Sequence, residues 1–256
     1  MTTFDLIFLS ACAFCTSALT AVVGAGGGTA LIALMLQVLS PAAAIPVHGV
    51  VQLASNTTRV WLFWNEMSWP IIFRFAALMP FGVGVGLWLF QGLPAEVIQM
   101  LIGIFVLLSL VTRQIGRWRE SEVPLWAFFP IGFVTGALNM VVGVIAPMLS
   151  VLIIRKDLSK ESMVGTLGFF GFVGNLLKVA GFSLIGFSFV TYGPLMLCMV
   201  PAAIIGTRVG RVLLSGLDAK SFMLAFRLML IALALKLILI DNGDDKVFLR
   251  IYTRQD

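Results

Sequence analysis

The chain has 256 residues, 60% of them hydrophobic and 11% charged, with a formal net charge of +5 and a mean hydropathy of +1.05. A globular domain carries about 45–50% apolar residues, so no water-soluble domain of this size could hide such a composition. The positive balance suits loops beside anionic lipid and gives no case for nucleic acid.

Apolar runs cover residues 4–39, 43–64, 69–90, 95–112, 123–154, 161–182, 187–214 and 218–240. Most approach the ~20 residues that cross a hydrocarbon core, but the first and fifth are too long for one straight span. The sequence predicts an all-α polytopic membrane protein with no soluble domain. The opening "MTTFDLIFLSACAFC" lacks the basic segment of a cleavable signal peptide and is read as part of the mature fold.

The first run contains "GAGGGTALIALML", residues 24–36, where a continuous helix would be badly weakened. Non-helical backbone at membrane depth is tolerated only where it is buried in protein or lines a wet cavity. Glycine permits left-handed turns and close approach to a ligand. The free amides and dipole at the start of the following helix, near Gly28–Ala30, favour an anion. Gly26, Gly27, Gly28 and Thr29 are therefore candidate binding positions. The competing reading is close helix packing, which is preferred for "GVGVG" at 82–86.

The second run carries His48, Gln52, Ser55, Asn56 and Arg59, spaced to share one helical face. A polar stripe in lipid is expensive, so it should face the bundle interior. His48, the single histidine, is either a proton-coupling group or a neutral hydrogen-bonding and packing residue. Arg59 either faces the interior or snorkels to the interface, and the same choice holds for Lys178. Trp61, Trp64 and Trp69 fit an interfacial aromatic belt.

Cys12, Cys15 and Cys198 sit inside apolar runs, where a thiol behaves as a small hydrophobe. "CAFC" has C-x-x-C spacing without acidic or histidine company, so no disulfide, metal or cofactor is assigned.

The fifth run should break around Asn139–Gly143. Basic residues between runs fall into three groups: Arg113, Arg117 and Arg119; Arg155, Lys156 and Lys160; Arg208, Arg211 and Lys220. The positive-inside tendency wants all three cytoplasmic. This follows if the fifth run enters, breaks and returns. The opposite loops "SPAAA", "QGLPAE" and "GFSLIG" carry no Lys or Arg. A matching hairpin over residues 4–39 leaves three crossings per half, inverted repeats and external termini. The alternative is eight crossings with parallel repeats.

The repeat itself is faint. "GAGGGTALIALML" with "HGVVQLASNTTRVWLFW" is echoed by "GALNMVVGVIAPML" with "LGFFGFVGNLLKVAGF". Asn56 and Arg59 correspond to Asn175 and Lys178, and Pro80 to Pro201. The expected organisation is a first membrane repeat over 1–115, a second over 116–240, and a polar, frayed tail over 241–256. Each repeat is a broken, re-entrant hairpin plus three transmembrane helices.

The glycine cluster, the pattern H-x-x-x-Q-x-x-S-N-x-x-R and the repeated N-x-x-K/R resemble the TauE/SafE family of sulfite exporters over about residues 5–240. The second half departs from the family in reading "NMVVGVIAP" in place of clustered glycines. The resemblance implies export of sulfite, sulfonates or related sulfur oxyanions across the bacterial inner membrane without ATP hydrolysis. By position, the binding residues would be the glycine-cluster backbone, Gln52, Ser55, Asn56 and Arg59, with Asn175 and Lys178.

The chain has no G-x-x-x-x-G-K-[ST] phosphate loop, which argues against a primary pump. Thiosulfate, sulfate and small carboxylates suit the same donors. A membrane thiol-disulfide electron carrier would need equivalent cysteines in the two halves, and Cys15 and Cys198 do not correspond. A structural or receptor-like membrane protein would pass no saturable flux. The expected partners are a small anion and the bilayer, and a homo-oligomer is compatible with this reading.

Overall fold

The computed structural model describes residues 2–23, 26–118, 122–144, 146–213 and 219–239. The expected tail at 241–256, Gly24, Ala25 and Arg119 lie outside them. Among the described residues ten α-helices run in chain order: α1 Thr3–Val23, α2 Gly27–Met35, α3 Pro41–Leu62, α4 Trp69–Gly92, α5 Ala95–Trp118, α6 Phe128–Val141, α7 Ala146–Leu152, α8 Lys160–Leu184, α9 Gly193–Leu213 and α10 Ala219–Leu239. Thr3–Thr20, Trp69–Gly92, Glu161–Leu184 and Phe189–Gly210 are long and apolar enough to cross a membrane. Helix α3 has 22 residues, a sufficient length, but its polar stripe lowers its hydropathy. The protein is an all-helical, multi-pass membrane protein.

Both long apolar runs are interrupted. The first breaks between α1 and α2, at Gly26 with φ 109°; the fifth breaks between α6 and α7, at Gly143 with φ 82°. Side chains rarely adopt this left-handed backbone, so each of these two positions calls for glycine. After the first break the chain folds back: a Cβ added at Gly27 would lie 2.0 Å from the Thr16 carbonyl oxygen. Residue 27 beside residue 16 means that α2 returns along α1 instead of extending it.

Close-packed seams join the helices. A Cβ at Gly82 or Gly86 of α4 would fall 1.9 Å or 2.4 Å from the carbonyl oxygens of Phe133 and Ala137 on α6, and one at Gly132 would fall 1.9 Å from that of Phe75. "GVGVG" is therefore a packing feature, as the sequence suggested. Gly206 and Gly210 of α9 press likewise on Phe14 and Ala18 of α1. Ascending numbers meet ascending numbers in both seams, so α4 runs parallel to α6 and α9 parallel to α1. Helices α3 and α8 instead run antiparallel, Gly49 facing Lys178 while Gly168 faces Arg59. Further packed pairs are α5 with α10 and α2 with α7.

The core is apolar and largely aliphatic around α2, α3, α5 and α10. A second cluster builds on Phe75 and Phe170, whose rings stack with centroids 3.8 Å apart. Outside the membrane-spanning segments, Arg155 ties the loop before α8 to the approach to α6. It donates to Asp157 at 2.8 and 3.0 Å and to the Val123 carbonyl at 2.7 Å, with Glu122 at 3.5 Å. The guanidinium holds the Asp157 carboxyl below the usual carboxylate range.

Candidate functional site

The polar stripe of α3 faces the other helices. His48, Gln52 and Asn56 are buried, and with Arg59 they line a cavity of about 60 Å³ between the two breaks. Gly26 and Gly28 contribute from the first break, and Gly143, Val144 and Ala146 from the second. Across from the stripe stand Thr135 and Asn139 of α6 and Gly171, Gly174 and Asn175 of α8. Met79, Leu149, Leu167 and Phe170 complete an apolar wall. Such a space has room for a compact ion or a few waters.

The backbone carbonyls around this space are covered by side-chain donors. His48 Nε2 donates to Gly28 O at 3.0 Å, because a carbonyl can only accept. Lys178 Nζ donates to Gly143 O, and to Asn175 Oδ1 at 3.2 Å. Asn139 Nδ2 reaches Gly174 O at 3.0 Å and Asn175 Nδ2 reaches Gly171 O at 2.7 Å. Each break thus has a carbonyl at or beside it capped by a buried nitrogenous side chain from the second helix after it, α3 or α8. Covering the negative ends of the peptide dipoles removes what would repel an anion.

Other groups stay uncommitted. Among the described residues, the side chains of Gln52, Asn56 and Arg59 have no hydrogen-bond partner, and Arg59 Nε is closed off from solvent without one. The only salt bridges there belong to Arg155, and no carboxylate lines the cavity. Arg59 is accordingly a basic group without a counter-charge, facing a confined polar space. Uncompensated positive charge with free amide donors is the chemistry of an anion site.

Of the eleven positions singled out by sequence, Gly26, Gly28, His48, Gln52, Asn56, Arg59 and Asn175 line the cavity. The other four point elsewhere. Gly27 is pressed against α1. Thr29 is fully buried with an unpartnered Oγ1. Ser55 Oγ pairs with Thr207 Oγ1 of α9 at 3.1 Å. Lys178, fully buried, lies behind the wall, its stem crossing Gly49, where a Cβ would come within 2.9 Å of Cδ. Asn175 lines the space, yet both ends of its amide are engaged within the protein. Thr20, Thr135 and Asn139 were not singled out as binding positions, although Asn139 marked the expected break. Cys12 is half-buried and Cys15 and Cys198 are exposed; none of the three lines the cavity.

A family model described as sulfite exporter TauE/SafE matches residues 9–237. No curated protein and no solved structure matches the chain.

Proposed function

Because the chain belongs to the TauE/SafE family of membrane sulfite exporters, we propose that it exports a small sulfur oxyanion, of the sulfite or sulfonate class, bound in the cavity between the two helix breaks. The observation that carries this reading is Arg59, with Gln52 and Asn56, facing that space with no internal partner while nearby backbone carbonyls are capped. Gly26, Gly28 and His48 belong to the same site through the first break. Lys178 and Asn175 hold the second break in place. Reconstituted in liposomes, the protein should carry a saturable sulfite flux that needs no ATP; flux indistinguishable from empty liposomes at all concentrations would refute the reading.

We further propose that residues 1–115 and 116–240 are inverted repeats of the bacterial inner membrane, each a re-entrant hairpin plus three crossings. The antiparallel packing of α3 on its counterpart α8 supports inversion, since parallel repeats would set equivalent spanning helices parallel. The return of α2 along α1 supports the hairpin. Cysteines placed at Ser159 and Ser40 test it with an impermeant thiol reagent added outside the cell. The expected result is labelling at 40 and none at 159; eight crossings put both positions on one face, so the same response at 40 and 159 would favour that alternative.

A further inference from the structure

Asn139 presents a fixed acceptor to the cavity that Arg59 lines as a pure donor. It stands on α6 opposite the stripe of α3 and is 5% exposed. Its Nδ2 is held by the Gly174 carbonyl at 3.0 Å, and turning the amide over would set oxygen against oxygen. The end left to the cavity is Oδ1, which has no donor among the described residues. One turn earlier on the same helix face, Thr135 is 1% exposed and its Oγ1 is also unpartnered. Gln52 and Asn56 can rotate to offer either end of their amides, and Arg59 only donates; Asn139 has no such choice.

From this pairing of a fixed acceptor with a free guanidinium in one small space, we propose that the site selects an oxyanion carrying its own hydrogen-bond donor next to the anionic group: hydrogensulfite, or a sulfonate with an adjacent hydroxyl or amine. The proposal rests on the anion-site reading above. A bare anion filling the cavity leaves Asn139 Oδ1 desolvated and unpaired, and such an unmet buried group is what rejects near-isosteres in polar sites. A donor-bearing anion satisfies Arg59 and Asn139 together.

The test compares ligands of equal charge at a single pH by calorimetry on the full purified chain. His48 and Arg59 on α3 and Lys178 on α8, the titratable groups around the site, are then in one state throughout. Hydroxymethanesulfonate should bind roughly tenfold tighter than methanesulfonate. In Asn139→Leu this preference should shrink to about twofold or less. Equal affinities for the two sulfonates, with Arg59→Gln still weakening both, would overturn the selection and leave the anion site standing. Binding of both unchanged by Arg59→Gln would overturn site and selection together. A full preference retained in Asn139→Leu would overturn the role of Asn139.

Discussion

Replacing Arg59 by glutamine should weaken sulfite binding by roughly 10- to 100-fold and stop measurable transport. A hydrogen bond to a charged group contributes about 1.5–3 kcal/mol, and here the guanidinium has no internal partner to share its charge with. An anion entering a low-dielectric space loses its hydration and needs a cation or several amides in exchange. Arg59→Lys should keep part of the affinity, since a point charge remains but the planar fork is lost. Asn56→Ala removes one neutral donor and should cost about 1 kcal/mol, about fivefold. The measurement is sulfite affinity in detergent, with folding checked by gel filtration. A snorkelling arginine would tolerate glutamine, so unchanged affinity in both Arg59→Gln and Asn56→Ala would move the site elsewhere in the bundle.

Lys178→Met should lose transport with little loss of stability. The amine is fully buried with no carboxylate near it. Taking a charged group out of water costs several kcal/mol, and an apolar residue of similar length relieves that cost. Against this, the variant strips Gly143 O and Asn175 Oδ1 of a donor, which costs about 1–3 kcal/mol each if they stay dry. The two terms are of one size, so thermal stability should change by a few degrees at most. The second break, however, loses its tie to α8 and its capped carbonyl turns negative toward the cavity. Lys178→Gln keeps a donor and should retain part of the flux. If Lys178→Met transports normally, the tie has no functional role; if it fails to fold while Lys178→Gln folds well, the tie is structural alone.

The course of the chain was legible where sequence features are local. Runs of apolar residues marked the helices, and a helix needs nothing beyond its own backbone bonds to exist in lipid. The stripe on α3 stood out because polar residues inside an apolar run are improbable without a buried destination. Its edges were less clear. Successive residues on a helix are about 100° apart, so Ser55 and Asn56 fall on opposite margins of the stripe; only the position of α9 decides that one meets Thr207 and the other the cavity. The far wall was hidden for another reason. Thr135 and Asn139 are isolated polar residues in an apolar helix, and Gly171 and Gly174 read as packing glycines. Their meaning depends on α6 and α8 being brought opposite α3, which is a long-range fact. The same holds for Lys178, whose partner Gly143 lies at the break between α6 and α7.

The seam between α1 and α9 bears on how the protein is made. Phe14 packs on Gly206, 206 − 14 = 192 residues further along the chain, so at ribosomal speeds of about 5–20 residues per second α1 waits roughly 10–40 s for its partner. It can afford to wait: Thr3–Thr20 has a mean hydropathy of 1.5 and sits in lipid without a neighbour, as a separately inserted helix does. Helix α3 cannot do so on equal terms, because its stripe has no matching wall until α8 is synthesised. During that interval its polar face must be sheltered by the insertion machinery, by headgroups or by water. Biogenesis, more than final stability, is therefore where a defect in α8 would first be felt, as protein degraded before it is ever assembled.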